Sequence, residues 1–146
     1  MIVLDTNVVS AMMSPTRPAE VASWLRGVQT TQLYMTSITR AEIRYGIARL
    51  PEGARRDDLS ERADAVFAEA SERMFSFDSA AADRYGRVVA ERERRGRPIS
   101  VLDAQIAAIC LVRSATLATR NGKDFTGIGL SVVNPFAAGS AGEEPV

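Results

Sequence analysis

The chain opens with a short apolar run that ends in an acid, Met1-Ile2-Val3-Leu4-Asp5-Thr6-Asn7. Three consecutive apolar residues bounded by polar ones have the length of a strand that is buried on both faces. Four further runs have strand length: Leu33-Tyr34-Met35, Met74-Phe75-Ser76-Phe77, Ala115-Thr116-Leu117-Ala118 and Ser131-Val132-Val133. Because helix-patterned segments separate these runs, the sequence predicts an α/β fold built on a five-stranded parallel sheet.

Helices are predicted in the intervals between the strands, with glycine and proline at several of their ends. The predicted helices cover Pro18 to Gly27, Thr39 to Leu50, Ala54 to Arg73, Ala80 to Gly96 and Ser100 to Arg113. At 146 residues the chain is long enough for one domain with its own core. Residues 137–146 are small, polar and acidic, so we expect a domain over residues 1–136 followed by a flexible tail.

The composition excludes several kinds of chemistry. No histidine is present, which rules out mechanisms that need an imidazole, including those of the histidine ribonucleases. The single cysteine, Cys110, lies in an apolar run and is expected to be a buried thiol, so a disulfide framework and a cysteine zinc site are excluded. Lysine plus arginine and aspartate plus glutamate both number 18, so any contact with a polyanion would depend on local basic patches.

The sequence also carries no membrane signal. Its longest apolar stretch, Ile106 to Val112, is far shorter than the ~20 residues that cross a bilayer. The first residues include no basic leader, and Asp5 and Asn7 interrupt their apolar run, which differs from a signal peptide. We therefore expect a cytoplasmic protein without membrane association.

Four acids occupy related places around the predicted strands. Asp5 ends the first strand, and Glu42 lies just inside the helix after the second. Asp103 begins the helix before the fourth strand, and Asp124 follows that strand by a short turn. Ligands of open parallel sheets bind outside the carboxyl ends of the strands, where the strand order reverses. That edge can bring sequence-distant acids together, and the sequence leaves open whether all four meet there.

A cluster of such acids would require a cation or shared protons. Two carboxylates about 4 Å apart repel each other by roughly 4 kcal/mol at an effective dielectric constant of 20. Mg2+ prefers oxygen ligands and commonly takes one or two carboxylates together with waters and substrate phosphate oxygens. A divalent ion of this kind can activate water for phosphodiester hydrolysis without any histidine.

Helix capping is the competing interpretation of the same acids. The pairs Thr39 with Glu42, Ser100 with Asp103 and Asn121 with Asp124 have the spacing of a capping box or a near relative. Acids in first turns are also favoured by the helix dipole. Asp5 either opens a helix through an Asx turn or serves as a ligand platform, and both stay open. In this alternative the protein is a non-catalytic RNA- or protein-binding module.

Four sequence blocks, taken in order, resemble the PIN-domain family, and within it the VapC/FitB-like toxins of bacterial type II toxin-antitoxin systems. The blocks are Met1-Ile2-Val3-Leu4-Asp5-Thr6-Asn7, Thr39-Arg40-Ala41-Glu42-Ile43-Arg44-Tyr45-Gly46, Asp103-Ala104-Gln105-Ile106-Ala107-Ala108 and Ala118-Thr119-Arg120-Asn121-Gly122-Lys123-Asp124-Phe125. The closing Val132-Val133-Asn134-Pro135-Phe136 is similar as well. The resemblance implies a three-layer α/β fold, with a five-stranded parallel sheet and helices on both faces.

The resemblance also implies an activity, namely metal-dependent endoribonuclease action by a toxin in which Mg2+ or Mn2+ is held by four acids and activates water. The family's acids are matched by Asp5, Glu42, Asp103 and Asp124. Thr6 matches a position whose hydroxyl supports the first acid or a water at the metal, and Asn121 matches a polar position beside the pocket. The implied partners are RNA, a cognate antitoxin and a second copy of the chain in a homodimer, or a larger complex with the antitoxin.

Basic residues flank the acidic blocks and are candidate contacts for substrate phosphates, because guanidinium and ammonium groups fit phosphate oxygens. The candidates are Arg40, Arg44, Arg120 and Lys123. A separate run of mostly charged residues, 91–97, lies at the end of a predicted helix. Cations there complement the helix dipole, so this run is interpreted as a solvated helix end.

Two other classes of α/β protein fit the sequence less well. An aspartyl phosphotransferase of the haloacid-dehalogenase type would have a second Asp two residues after the first, but that position is Asn7. Nucleotide-binding modules would show a glycine-rich phosphate loop, either G-x-x-x-x-G-K-S/T or G-x-G-x-x-G, and neither occurs.

Overall fold

The computed structural model describes residues 1–137. The predicted flexible tail, residues 137–146, lies outside the described residues except for Ala137, so the tail and the domain limit at residue 136 stay predictions.

Five parallel strands form one sheet, which confirms the predicted fold class. The strands are β1 (Ile2–Leu4), β2 (Leu33–Thr36), β3 (Met74–Phe75), β4 (Thr116–Ala118) and β5 (Val132–Val133). Their order across the sheet is β3-β2-β1-β4-β5. In the register of the sheet, Ile2 of β1 pairs with Leu33 of β2 on one side and with Thr116 of β4 on the other. The first strand of the chain is therefore the centre of the sheet.

Six α-helices connect these strands within residues 1–137. They are α1 (Thr6–Met13), α2 (Ala19–Arg26), α3 (Ser37–Ala48), α4 (Ala54–Glu69), α5 (Ser79–Arg94) and α6 (Val101–Val112). Short 3-10 turns span Thr30–Gln32, Ser71–Arg73 and Gly122–Phe125.

Helix α1 is the main element that the sequence patterns do not predict. Its segment contains Asn7 and the β-branched Val8 and Val9, which have modest helix propensity. The helix forms because Asp5 caps its first turn, accepting a 2.8 Å hydrogen bond from the backbone N–H of Thr6, and because Val8 and Val9 are buried. Asp5 therefore opens a helix, as one of its two interpretations holds, but its side chain accepts from the next backbone N–H and not from the one two residues on that an Asx turn uses.

The limits of two other elements differ from the prediction. The helix predicted over Ala54 to Arg73 ends at Glu69 and gives way to the 3-10 turn Ser71–Arg73. The strand predicted over Met74 to Phe77 pairs with β2 only through Met74 and Phe75. Both elements are shorter than predicted near β3, which lies at the edge of the sheet and has a single neighbouring strand.

Alternate residues of the strands face opposite helical layers, because successive side chains of a strand point to opposite faces. Leu4 and Met35 belong to a core shared with buried residues of α1 to α4. Val3 and Leu117 belong to a second core shared with α5 and α6. The sheet is therefore covered on both faces, and the three-layer arrangement is confirmed.

The second core contains Cys110, whose thiol is buried and free, as predicted. Burial raises the pKa of this thiol well above its usual range. No helix within residues 1–137 is both long enough and apolar enough to traverse a membrane.

Candidate functional site

The strand order reverses between β1 and β4, which are neighbours in the sheet although the chain visits β2 and β3 between them. The crevice at the carboxyl ends of such a pair is where open parallel sheets bind ligands. Asp5 follows β1 directly, and Asp124 lies in the 3-10 turn that follows β4. Glu42 lies in α3 and Asp103 in the first turn of α6.

Asp5 lies at the centre of this crevice and is 5% exposed. Its Oδ1 accepts from the backbone N–H of Thr6 at 2.8 Å. Its Oδ2 accepts a 2.7 Å hydrogen bond from the hydroxyl of Thr119 and a 3.3 Å one from Nδ2 of Asn7. Burial raises the pKa of Asp5, these hydrogen bonds oppose the rise, and the nearby charge of Asp124 adds to it.

Thr119 is a site residue that the sequence analysis misses. It is fully buried directly after β4, and its Oγ1 also accepts from the backbone N–H of Asn121 at 3.1 Å. Asn7 strengthens the same junction, since its Oδ1 accepts a 3.2 Å hydrogen bond from the backbone N–H of Arg120. The sequence does carry a signal, because Thr119 follows its strand as Asp5 follows β1.

Glu42 is held by a hydroxyl rather than by a helix end. The Oγ1 of Thr6 donates a 2.8 Å hydrogen bond to Oε1 of Glu42, and it lies 3.1 Å from Oγ1 of Thr39. The cap of α3 is Thr36, whose side chain accepts from the backbone N–H of Thr39. The suggested capping pair of Thr39 with Glu42 is therefore wrong. Thr6 supports Asp5 through its backbone and Glu42 through its side chain.

Asp103 is half-buried in the first turn of α6. Its backbone N–H donates to the Ser100 hydroxyl at 3.2 Å, so the cap predicted at Ser100 is correct. Burial is the largest cause of a raised pKa at Asp103, and the charge of Asp5 is the second. The charges of Asp124 and Glu42 raise it further, while the hydroxyl of Ser100 opposes the rise. All three other acids therefore lie within electrostatic range of Asp103.

Asp124 is carried by a backbone turn. Its N–H donates to the carbonyl of Asn121 at 2.9 Å, whereas the Asn121 side chain makes no capping hydrogen bond. The next residue, Phe125, is buried in the second core and anchors the turn. Asn121 is exposed beside this turn.

The donor set can be tested against the chemistry of Mg2+ or Mn2+. None of the ion pairs formed among residues 1–137 includes Asp5, Glu42, Asp103 or Asp124, so their charges lack a basic partner there. No three acids in the same part of the chain stand close enough to form a ready-made metal cage. All four offer oxygen ligands, and Mg2+ commonly needs only one or two carboxylates because it keeps several waters. The residues therefore fit a hydrated divalent ion.

The candidate basic residues fall into two groups. Arg40 and Arg44 both lie 5.0 Å from the ring centroid of Phe67 in α4, and Arg44 pairs with Asp64 at 2.7 Å. They are two residues away from Glu42, which places them on nearly the opposite side of α3.

Arg120 and Lys123 belong to the segment that carries Asp124. Both side chains are exposed, and the guanidinium of Arg120 lies 3.8 Å from the centroid of Phe136. This pair lies within four residues of Asp124 in the chain, whereas Arg40 and Arg44 lie on the side of α3 that faces away from Glu42.

A sequence model described as the PIN domain matches residues 2–129 of the chain. The chain is 37% identical to a plasmid stability protein, StbB, from Pseudomonas syringae pv. tomato, over 94% of this chain and 100% of the relative. It is 34% identical to a VapC ribonuclease from Sinorhizobium fredii, over 93% of this chain and 98% of that one. It is 33% identical to the toxin FitB from Neisseria gonorrhoeae, over 93% and 99% of the two chains.

The fold is also similar to that of a solved structure, FitAcB from Neisseria gonorrhoeae. The TM-score is 0.88 at 32% identity, over 94% of this chain and 100% of the other. The four acid-bearing segments all lie inside the region matched by the PIN-domain sequence model.

Proposed function

Since the chain belongs to the PIN-domain family, and within it to the VapC and FitB toxins, we propose that it is an endoribonuclease that depends on Mg2+ or Mn2+. The observation that carries the proposal is the effect of three acids on a fourth: the charges of Asp5, Asp124 and Glu42 each raise the pKa of Asp103, which has no basic partner within residues 1–137. Carboxylates that repel one another without a basic partner favour a bound cation.

The proposed metal-binding residues are Asp5, Glu42, Asp103 and Asp124, of which one or two would bind the ion directly and the others through its waters. Bound there, a divalent ion supplies Lewis acidity toward water and toward a phosphodiester. The chain's own residues fix the carboxylates: Thr119 and Asn7 orient Oδ2 of Asp5, and Thr6 orients Oε1 of Glu42. Because the chain has no histidine, the proton lost by the attacking water goes to a carboxylate or to solvent.

Substrate phosphates are proposed to contact Arg120 and Lys123. Both lie within the segment from Thr119 to Asp124, and neither forms an ion pair within residues 1–137. Arg40 and Arg44 are retained only as outer contacts, since they pack on Phe67.

The alternative, a binding module in which the acids only cap helices, is less well supported. Capping explains the hydrogen bond that Oδ1 of Asp5 accepts from the backbone of Thr6. It does not explain the hydrogen bond that Oδ2 accepts from the hydroxyl of Thr119. It does not account for Glu42, because α3 is capped by Thr36 six residues earlier.

As a partner we propose a cognate antitoxin, in keeping with the relatives that are named as toxins or were solved as Fit and Vap complexes. A homodimer and a cytoplasmic location are proposed as well, on the resemblance of the sequence to the family. In cells, expression of the wild-type chain alone is expected to arrest growth, whereas Asp103→Asn is not. Equal arrest by both chains would show that the acids are not responsible.

The test of the activity uses purified full-length protein and single-stranded RNA. Cleavage is expected with Mg2+ or Mn2+ and is expected to stop in EDTA. Asp5→Ala and Asp103→Asn, each checked for folding by circular dichroism, should be inactive with metal present. Robust cleavage by folded Asp5→Ala in EDTA would overturn the proposal.

A further inference from the structure

Arg92 of α5 is buried to an unexpected degree. It belongs to the charged run 91–97, which the sequence predicts to be a solvated helix end, yet it is 4% exposed. That prediction is wrong at Arg92, while its neighbours Arg94 and Arg95 are exposed as expected.

The buried guanidinium has only neutral partners within residues 1–137. It appears in none of the ion pairs formed there, and its Nε is buried without a hydrogen-bond partner. Burying a cation without an opposite charge is costly, and an apolar side chain of similar size is often as stable at such a position or more so. Stability alone therefore does not explain an arginine here.

The contacts of Arg92 lead to the turn that carries Asp124. Its Nη1 donates to the carbonyl oxygen of Thr126 at 2.9 Å and lies 3.2 Å from the Thr126 hydroxyl. That hydroxyl donates in turn to the carbonyl of Lys123 at 3.3 Å. Arg92 therefore contacts Thr126, which follows Phe125. Through the Thr126 hydroxyl it is also linked to Lys123, which precedes Asp124.

A second arginine, Arg95, directly follows the last residue of α5 and packs against the next residue of the same segment. Gly127 has a φ of +78°, and a Cβ built there would lie 3.0 Å from Cδ of Arg95. Arg95 is itself held by a 2.9 Å ion pair with Glu91. Thr126 is therefore held by Arg92 and Gly127 is contacted by Arg95, both from the C-terminal end of the same helix.

From these contacts we propose that Arg92 is a positioning residue that holds the 3-10 turn Gly122–Phe125 in place and so sets the distance of Asp124 from Asp5 and Asp103. The inference rests on the proposed function, in which Asp124 is a metal ligand. Groups that hydrogen-bond a metal ligand directly typically contribute about 10-fold to 100-fold to metal affinity or activity. Arg92 acts through Thr126, so we expect the lower end of that range.

The test compares Arg92→Met with Arg94→Met, a control on the same helix whose exposed side chain forms an ion pair with Glu91. Full-length proteins are titrated with Mn2+ by calorimetry without RNA, and hydrogen exchange of the Asp124 amide is measured in EDTA. Arg92→Met should bind Mn2+ at least about 10-fold more weakly, with faster exchange at Asp124 and a melting temperature close to that of wild type. Arg94→Met should match wild type in all three.

Two further variants keep the inference open to refutation if Arg92→Met fails to fold. Arg92→Lys keeps one donor for the Thr126 carbonyl and should recover part of the Mn2+ affinity. Thr126→Val, at an exposed position, should weaken Mn2+ binding in the same direction as Arg92→Met.

The outcomes separate this inference from the proposed function. Wild-type Mn2+ affinity and exchange in folded Arg92→Met or Thr126→Val would refute the positioning role alone. A wild-type protein that neither binds Mn2+ nor cleaves RNA would refute both.

Discussion

The hydroxyl of Thr119 donates a 2.7 Å hydrogen bond to Oδ2 of Asp5, although the two residues are 114 positions apart in the sequence. Each lies directly after a strand, and those strands, β4 and β1, are neighbours at the point where the strand order reverses. The contact therefore joins the two halves of the chain at the candidate site.

Thr119→Val removes this hydrogen bond with little change in shape. Cleavage is expected to fall by about 10-fold to 100-fold, because the group that orients Asp5 is lost. The free energy of unfolding should fall by about 1–3 kcal/mol, since a buried acceptor loses its partner. Thr119→Ser keeps the hydroxyl and serves as the control. Cleavage by the Val variant at the wild-type rate would contradict this role.

Thr6→Val removes the hydrogen bond that Thr6 donates to Glu42. The cleavage rate is expected to fall by about 10-fold, while the backbone contact from residue 6 to Asp5 stays. Thr6→Ser should keep most of the activity. If Ser and Val variants lose activity equally, the methyl group rather than the hydroxyl is what matters.

Asp103→Asn should change the pH dependence of stability in EDTA. Burial and the neighbouring acids raise the pKa of Asp103 above 3.8, so the folded state holds this proton more tightly than the unfolded state. Stability is therefore lost as the pH rises from the unfolded value through the folded pKa. The Asn variant should be more stable than wild type at neutral pH, with a difference that shrinks as the pH falls toward 3.8. Urea unfolding at several pH values measures this.

Divalent ions should relieve the repulsion between the carboxylate of Asp103 and the neighbouring acids. Mn2+ at about 100 times its dissociation constant should stabilise the folded wild-type protein by about 2.7 kcal/mol, seen as a higher melting temperature. In Asp103→Asn the increase should be much smaller. An equal increase in both proteins would mean that Mn2+ binds elsewhere.

Arg120→Gln and Arg44→Gln form a matched pair for substrate binding. The side chain of Arg120 is exposed, and its backbone N–H donates to Oδ1 of Asn7. Arg44 is instead paired with Asp64, on the side of α3 that faces away from Glu42. Arg120→Gln should raise KM several-fold and lower the salt dependence of RNA binding, because a phosphate contact is lost. Arg44→Gln should stay close to wild type. If Arg44→Gln raised KM and Arg120→Gln did not, the RNA would instead lie on the side of α3 that faces α4.

The fold class and the candidate acids could be predicted from the residues alone. Short apolar runs such as Ile2 to Leu4 can be buried on both faces only in a covered parallel sheet, so the alternation of strands and helices predicted the layers. An acid directly after such a run, as at Asp5, lies at the carboxyl edge of the sheet whatever the details of packing.

The groups that support those acids could not be predicted, because they depend on how the helices and strands pack. The bond from Thr119 to Asp5 and the hold of Arg92 on the Asp124 turn join residues distant in sequence, and no local pattern encodes such pairs. Helix α1 was expected only as one of two interpretations of Asp5 for a related reason, since its propensity is modest and burial of Val8 and Val9 stabilises it. Patterns along a chain record which face of an element is buried, whereas the partner that each polar group finds depends on how the elements pack.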